Sequence, residues 1–354
     1  MRDRDWLLYG AYGYTGKLII EEALKNGLNP VIAGRNPHKL IPLAKQNNLN
    51  YEVFDLSDLK TIFKKIENFN LIFNAAGPFE KTSLPLVKAC LENSSHYLDI
   101  TGEIGVFEQN FTYHEKALKK NIAIISGVGF DVVPSDCLAK YVSEKMPNAA
   151  QLELGIAGLS GFSKGTLKTF LTNIPHGTII RQNEKLVALP LGKNPKQIQF
   201  MDKKRFCYPI SWGDISTAYR STNIENIRVY MALPHYFKYF TGSLEPLLKK
   251  IFELDQVQKL ISTWIEKNVQ GPNEKTRKAS RSYLWAKVYN KDGDSYEAWL
   301  KTIEPYRLTA ISAIKCVKKL DTSGKDIIGT LTPSQAFGKD FILEFPDTKI
   351  VDTI

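Results

Sequence analysis

Residues 6–24 read "WLLYGAYGYTGKLIIEEAL": an apolar run, three glycines at Gly10, Gly13 and Gly16, then apolar residues at helical spacing. A strand, a tight glycine turn and a helix in that order place backbone N–H groups and the positive end of a helix at one point. That is the arrangement that receives a pyrophosphate. Gly10, Ala11, Tyr12, Gly13, Tyr14, Thr15 and Gly16 are therefore expected to line a nucleotide site, with Thr15 capping the helix or donating to a phosphate. A glycine turn alone is weak evidence, so the strand and helix pattern downstream of it carries the weight.

Short apolar runs continue at 30–34, 51–54, 71–76, 96–100 and 122–127, with amphipathic stretches near 15–26, 36–47, 58–67, 82–93 and 106–120 between them. Strands alternating with helices of this length predict βαβ units and a parallel sheet. Another helix is expected from Pro134 to just before Pro147. After about residue 150 the texture becomes mixed. "AQLELGIAGL", "NIRVYMA" (226–232), "SRSYLWAKVYN" (280–290) and "SYEAWLKTI" (295–303) read as strands, the last two joined by "KDGD" as a hairpin. Residues 165–175 read as a helix, and 181–214 as turn-rich and charged. A helix from Pro305 leads into a turn-rich tail.

The second strand run ends "IAGRN", with Arg35 where an acid would bind the ribose 2′-hydroxyl of NAD. A guanidinium there suits a 2′-phosphate, so NADP(H) is expected; a surface ion pair is the alternative reading of Arg35. Asp55, after "YEVF", suits the adenine amino group. Asn74, Ala76 and Gly77 in "NAAGPF" let a nicotinamide ribose lie against the backbone.

The chain has 354 residues, 43% apolar and 24% charged, which suggests two domains of an ordinary globular protein. No apolar run reaches the ~18–20 residues needed to span a bilayer, and "MRDRDW" lacks a secretory h-region, so a cytoplasmic protein is expected. The net charge of +10 is dispersed. Its densest clusters, around Lys203 and over 274–281, carry no nucleic-acid signature, so no nucleic-acid partner is expected. The four cysteines and five histidines are scattered, giving no metal site. The amphipathic stretch 244–269, after the aromatic "PHYFKYF" (234–240), reads as a packed or homodimer-interface helix, or alternatively as a peripheral membrane contact.

"GAYGYTGKLI", "AGRN", "NAAGPF", "HYLDITGE" and "GVGFDVVPSD" resemble the saccharopine dehydrogenase-like oxidoreductases, and most of all the branch with the trans-acting enoyl reductases. "GFSKGT" (161–166), "WGDISTAYRST" (212–222) and "GTLTPSQAFG" (329–338) extend the resemblance over nearly the whole chain. It implies an α/β fold: a Rossmann-type parallel sheet with an inserted α+β substrate and dimerisation domain. The boundaries expected are 1–148, with 305–354 packing back onto it, and 149–304. It also implies reduction of an acyl or lipid-like substrate, small or carrier-bound, or else saccharopine-type amino-acid chemistry; a non-catalytic NADP(H) sensor or scaffold is the third reading. Candidate proton handlers are Tyr97, Asp99, Asp131, Asp136 and Tyr219, with no choice among them. The arginines of 149–304 show no cluster fit for a multiply carboxylated adduct, which favours the acyl reading.

Overall fold

The computed structural model describes residues 6–161, 163–165, 167, 177–233, 250–252, 254–323 and 326–354. The chain divides into two compact units. One comprises 1–133 with 306–336, the other 134–305 with 337–354.

In the first unit the strands are β1 (Trp6–Tyr9), β2 (Val31–Gly34), β3 (Tyr51–Val53), β4 (Leu71–Asn74), β5 (His96–Asp99) and β6 (Ala123–Ile125). Helices α1 (Tyr14–Lys25), α2 (Pro37–Asn47), α3 (Leu59–Ile66), α4 (Phe79–Asn93), α5 (Ile104–Phe111) and α6 (His114–Lys119) connect them. All six predicted strands form. The helix expected over 106–120 is two helices, with Thr112 and Tyr113 between them. A seventh strand, β15 (Gly329–Leu331; β7 to β14 belong to the second unit), pairs parallel with β6 and comes from the tail read as turns. Its three residues are too few to show a period.

The sheet order is β15-β6-β5-β4-β1-β2-β3, all parallel. Strands β1, β2 and β4 are buried along their whole length, as helices on both faces require. The chain leaves β1 toward β2 on one side and returns through β4 on the other, so the switch point lies at the carboxyl end of β1. The helix Pro305–Ser323 does return to this unit: the Phe130 N–H donates to Thr309 Oγ1 at 3.0 Å, and Tyr306 meets Tyr14 edge-to-face at 4.9 Å.

The second unit holds helix α7 (Val133–Lys145) and a nine-stranded sheet. Strand β7 (Gln151–Ala157) lies between β12 (Asn226–Ala232), its parallel neighbour, and β13 (Arg281–Tyr289). The hairpin β13–β14 (Ser295–Ile303) is as predicted, with Gly293 at φ +94°. The segment 181–214, read as turns, contains most of four strands: β8 (Thr178–Gln182), β9 (Lys185–Leu189), β10 (Lys196–Gln199) and β11 (Lys204–Pro209). Lysines and glutamines on their solvent side hide the alternation. Asn183 and Glu184, both at positive φ, close the β8–β9 turn without a glycine.

The division between units differs from the expected one. It falls at Val133 rather than 148, because α7 binds the second unit: Ser135 donates to Asp214 and Tyr141 to Asp352. Residues 337–354 also leave the first unit, because β16 (Lys349–Val351) adds to the edge of β14. Most of the helix expected at 165–175, and residues 234–249, lie outside the described residues. Within the amphipathic stretch 244–269, Asp255–Asn268 form a helix, with Leu260 and Trp264 exposed.

Inside the second unit, Glu153 is nearly enclosed. It pairs with the Lys196 ammonium and accepts from Tyr289 Oη at 3.1 Å and Tyr230 Oη at 3.3 Å, while Lys196 lies over the Tyr230 and Trp285 rings. Glu153→Ala removes the acceptor from all three. We expect a loss of about 2–3 kcal/mol, below the roughly 3–5 of a fully buried pair because Lys196 keeps part of its surface in water. A urea midpoint unchanged from wild type would contradict this.

Candidate functional site

The glycine turn is held by its own backbone. Gly10 stands at φ +85°, its N–H bonds to the Ala33 carbonyl at 2.9 Å, and the Gly13 N–H bonds to the Gly10 carbonyl at 3.0 Å. A methyl group at position 16 would lie 2.5 Å from the Gly10 carbonyl oxygen, and one at position 10 would lie 2.7 Å from the Ala76 nitrogen. Both positions therefore need glycine, and the turn brings β1, α1 and the β4 end into backbone contact. The N-cap of α1 is Gly13, with no side-chain cap and no acid in the first turn. Thr15 is consequently not the cap expected of it; it stands inside the first turn. The open, uncapped N-terminus is what a pyrophosphate requires, so the residues present fit the dinucleotide.

Beyond β2, Arg35 is exposed and has no ion pair within 4 Å among the described residues, against the surface-pair alternative. Tyr12 packs over Gly34, where a methyl group would meet its ring at 2.5 Å, and Lys39 lies 6.0 Å from the centre of that ring. Lys39, on the first turn of α2, thus places a second cation against the ring that covers the end of β2. Sequence reasoning missed it, although its place four residues after Arg35, on the first turn of α2, is a signal that could have found it. Asp55 is turned onto its own loop: its Oδ1 accepts from the Ser57 N–H at 2.8 Å and from the Ser57 hydroxyl, which lowers its pKa. That carboxylate oxygen is committed to the turn rather than free for adenine.

The end of β4 carries a correction of the same kind. The Asn74 side chain is fully buried, donating to Thr82 Oγ1 and Tyr97 Oη at 3.1 Å each and accepting from the Ala76 N–H at 3.0 Å. It shapes the 74–77 turn; Ala76 and Gly77 provide the backbone surface there. Tyr97, on β5, donates to Asp99 Oδ2 at 2.9 Å. Asp99 also accepts from Ser126 Oγ and from the N–H groups of Thr101 and Gly127. This sealed network joins the ends of β4, β5 and β6, and makes Tyr97 and Asp99 structural. Burial pushes Asp99 up to about 6 despite its four donors, and raises Tyr97 well above the usual phenol range. Asp136 is buried in the first turn of α7. Tyr219 lies under the Arg181 guanidinium at 4.4 Å. Asp131, in the loop after β6, is the exception: half-buried, against Gly102, with no hydrogen bond to its carboxyl among the described residues.

The family model for the saccharopine dehydrogenase NADP binding domain matches residues 6–125. A human saccharopine dehydrogenase-like oxidoreductase is 25% identical over 282 residues, 70% of this chain and 66% of that protein. A trans-acting enoyl reductase of Mycobacterium ulcerans is 32% identical over 145 residues, 38% of this chain and 34% of that protein. The match spans about a third to two thirds of the length of such relatives. Among solved structures, saccharopine dehydrogenase (L-Glu forming) from Saccharomyces cerevisiae superposes with a TM-score of 0.63 at 13% identity, over 98% of this chain and 100% of that one. That likeness bears on the fold.

Arg35→Ala is expected to weaken NADPH binding about 10–100-fold, the loss of one or two charge-assisted bonds, and to leave NADH binding unchanged in a fluorescence titration. Asp99 generates a pH dependence. Its folded value near 6 exceeds the unfolded 3.8, so the folded state holds the proton more tightly. Its contribution to stability is complete below about pH 4 and is lost as pH rises through 6, up to ~3 kcal/mol. Asp99→Asn should flatten the fall in urea midpoint over that window; an identical slope in the variant would refute the assignment. The turn, the open helix end, Arg35 and the family model agree on NADP(H), and residues 6–125 match the saccharopine dehydrogenase NADP binding domain.

Proposed function

We propose that the protein is an NADPH-dependent reductase of an acyl or lipid-like substrate, of the enoyl reductase type. The observation that carries this choice is where the arginines of the second unit go. Arg181 donates to the carbonyls of Ile215 and Glu184, Arg205 pairs with Asp202, and Arg220 bonds Ser216. Arg228 lies close to the Tyr230 hydroxyl, Arg277 bonds the Pro272 carbonyl, and Arg281 pairs with Asp347. Each is engaged by its own unit, and the six are spread along its length. A substrate with several carboxylates needs convergent, uncommitted guanidinium groups. An apolar chain does not. The similarity to a trans-acting enoyl reductase supports the same reading.

When bound, the reduced nicotinamide supplies the hydride. The chain's part is to hold the pyrophosphate on α1, to select the 2′-phosphate with Arg35, and to fix the loops beyond β4 to β6 through the Asp99 network.

No described helix is long and apolar enough to cross a membrane. We place the reaction in the cytoplasm or at a membrane surface facing it.

NADPH absorbance should fall when trans-2-decenoyl N-acetylcysteamine is added, and remain flat with lysine plus 2-oxoglutarate. The reverse pattern would overturn the substrate class and favour the amino-acid reading. Tight NADPH binding with no turnover of either would favour a sensor.

A further inference from the structure

We propose that Asp131 is the catalytic acid of this reductase, handing a proton to the substrate as hydride arrives. The inference rests on the reductase reading above and adds the residue which that reading lacks.

Position comes first. Dinucleotides lie across the carboxyl edge of such a sheet, with the adenosine half on one side of the switch point and the nicotinamide half on the other. Here Arg35, after β2, marks the adenosine side. The nicotinamide side is then the ends of β4, β5 and β6. Asp131 belongs to the loop after β6 and packs on the loop after β5, where a methyl group on Gly102 would lie 3.0 Å from its Oδ2. A side chain at position 102 would displace this carboxyl, so the glycine leaves room for it.

Freedom comes second. Every other titratable group considered at this edge has partners. Tyr97 and Asp99 are bonded to each other and sealed. Glu103 accepts from the N–H groups of Phe79 and Glu80 at the start of α4. Asp131 has no hydrogen bond or ion pair among the described residues, yet its loop is otherwise tied down, with the Phe130 N–H on Thr309 and the Val133 N–H on the Gly129 carbonyl. A carboxyl held in place by its backbone, with its oxygens unused, is positioned for a substrate rather than for the fold.

Chemistry comes third. Burial, with no neighbouring charge contributing, raises Asp131 to about 6, so a usable fraction is protonated near neutrality while part of the residue still reaches solvent. In the reduction, one end of the substrate double bond takes the hydride with its two electrons. The other end takes the proton from the Asp131 carboxyl: the O–H bond breaks and the new bond to substrate forms. The carboxylate is then reprotonated from water.

The test separates this inference from the reading beneath it. Wild type and Asp131→Asn should bind NADPH equally by fluorescence; no binding by wild type would sink the reductase reading itself. With Asp side chains carbon-13 labelled, the carboxyl resonance absent from Asp131→Asn should titrate near pH 6. Because only the oxidised ring is cationic, its midpoint should fall by about one unit or more with NADP+ relative to NADPH. Equal midpoints in the two complexes, or titration near 4 in the free protein, would overturn the proposal whether or not a substrate is known. Asp131→Asn should also match or exceed wild type in urea midpoint at pH 8, because it removes an unpaired, partly buried charge; a lower midpoint would assign the residue to the fold. With trans-2-decenoyl N-acetylcysteamine, turnover should drop about 100-fold or more at little-changed KM.

Discussion

The contact between the Gly10 carbonyl and the backbone of Gly16 is the constraint from which the nucleotide unit is organised. Its closeness excludes any side chain at position 16, and the neighbouring approach of Gly10 to Ala76 excludes one at position 10. Together they pull the start of α1 onto the ends of β1 and β4. The first-turn N–H groups then face the carboxyl edge of the sheet with no side-chain cap. An anion is the natural partner for that helix end, and the exposed Arg35 beyond β2 suits a second phosphate. The backbone geometry that closes the turn therefore also creates the site.

Two carboxyls near the same edge meet burial in opposite ways. Asp99 spends its oxygens on four donors and ties the ends of β4, β5 and β6 together. Asp131 lies in the next loop, half-buried, with no such donors among the described residues. Burial raises both to about 6, but for one the rise is a residual cost of building a rigid edge, and for the other nothing in the fold offsets it. Unoffset burial of an ionisable group at a ligand-facing edge is the pattern expected of a group retained for chemistry.

The first unit is largely readable because β1 to β6 are short apolar runs joined by periodic helices, β15 being the exception. The glycine spacing and Arg35 can be read for the same reason: backbone closeness and charge sign are properties of residue type. Asp55 and Asn74 are harder. Each has the right chemistry at the right strand end, yet each hydrogen-bonds its own turn two residues on, and residue type alone does not say whether an Asx side chain faces ligand or backbone. Strands β8 to β11 escape for another reason. They are short, carry lysine and glutamine on their open side, and turn through Asn183 and Glu184 without a glycine.

The sequence by itself determined the parallel sheet, the nucleotide turn and the preference for NADP(H), because those depend on local periodicity, on the missing Cβ of glycine and on the sign of one side chain. Only the tertiary structure decided where the units divide and which aspartates are sealed. Those are matters of long-range pairing: β16 on β14, Asp214 on Ser135, and Asp99 on β4 to β6. A carboxyl's availability is set by the partners that folding brings to it, and for Asp131 the described residues bring none.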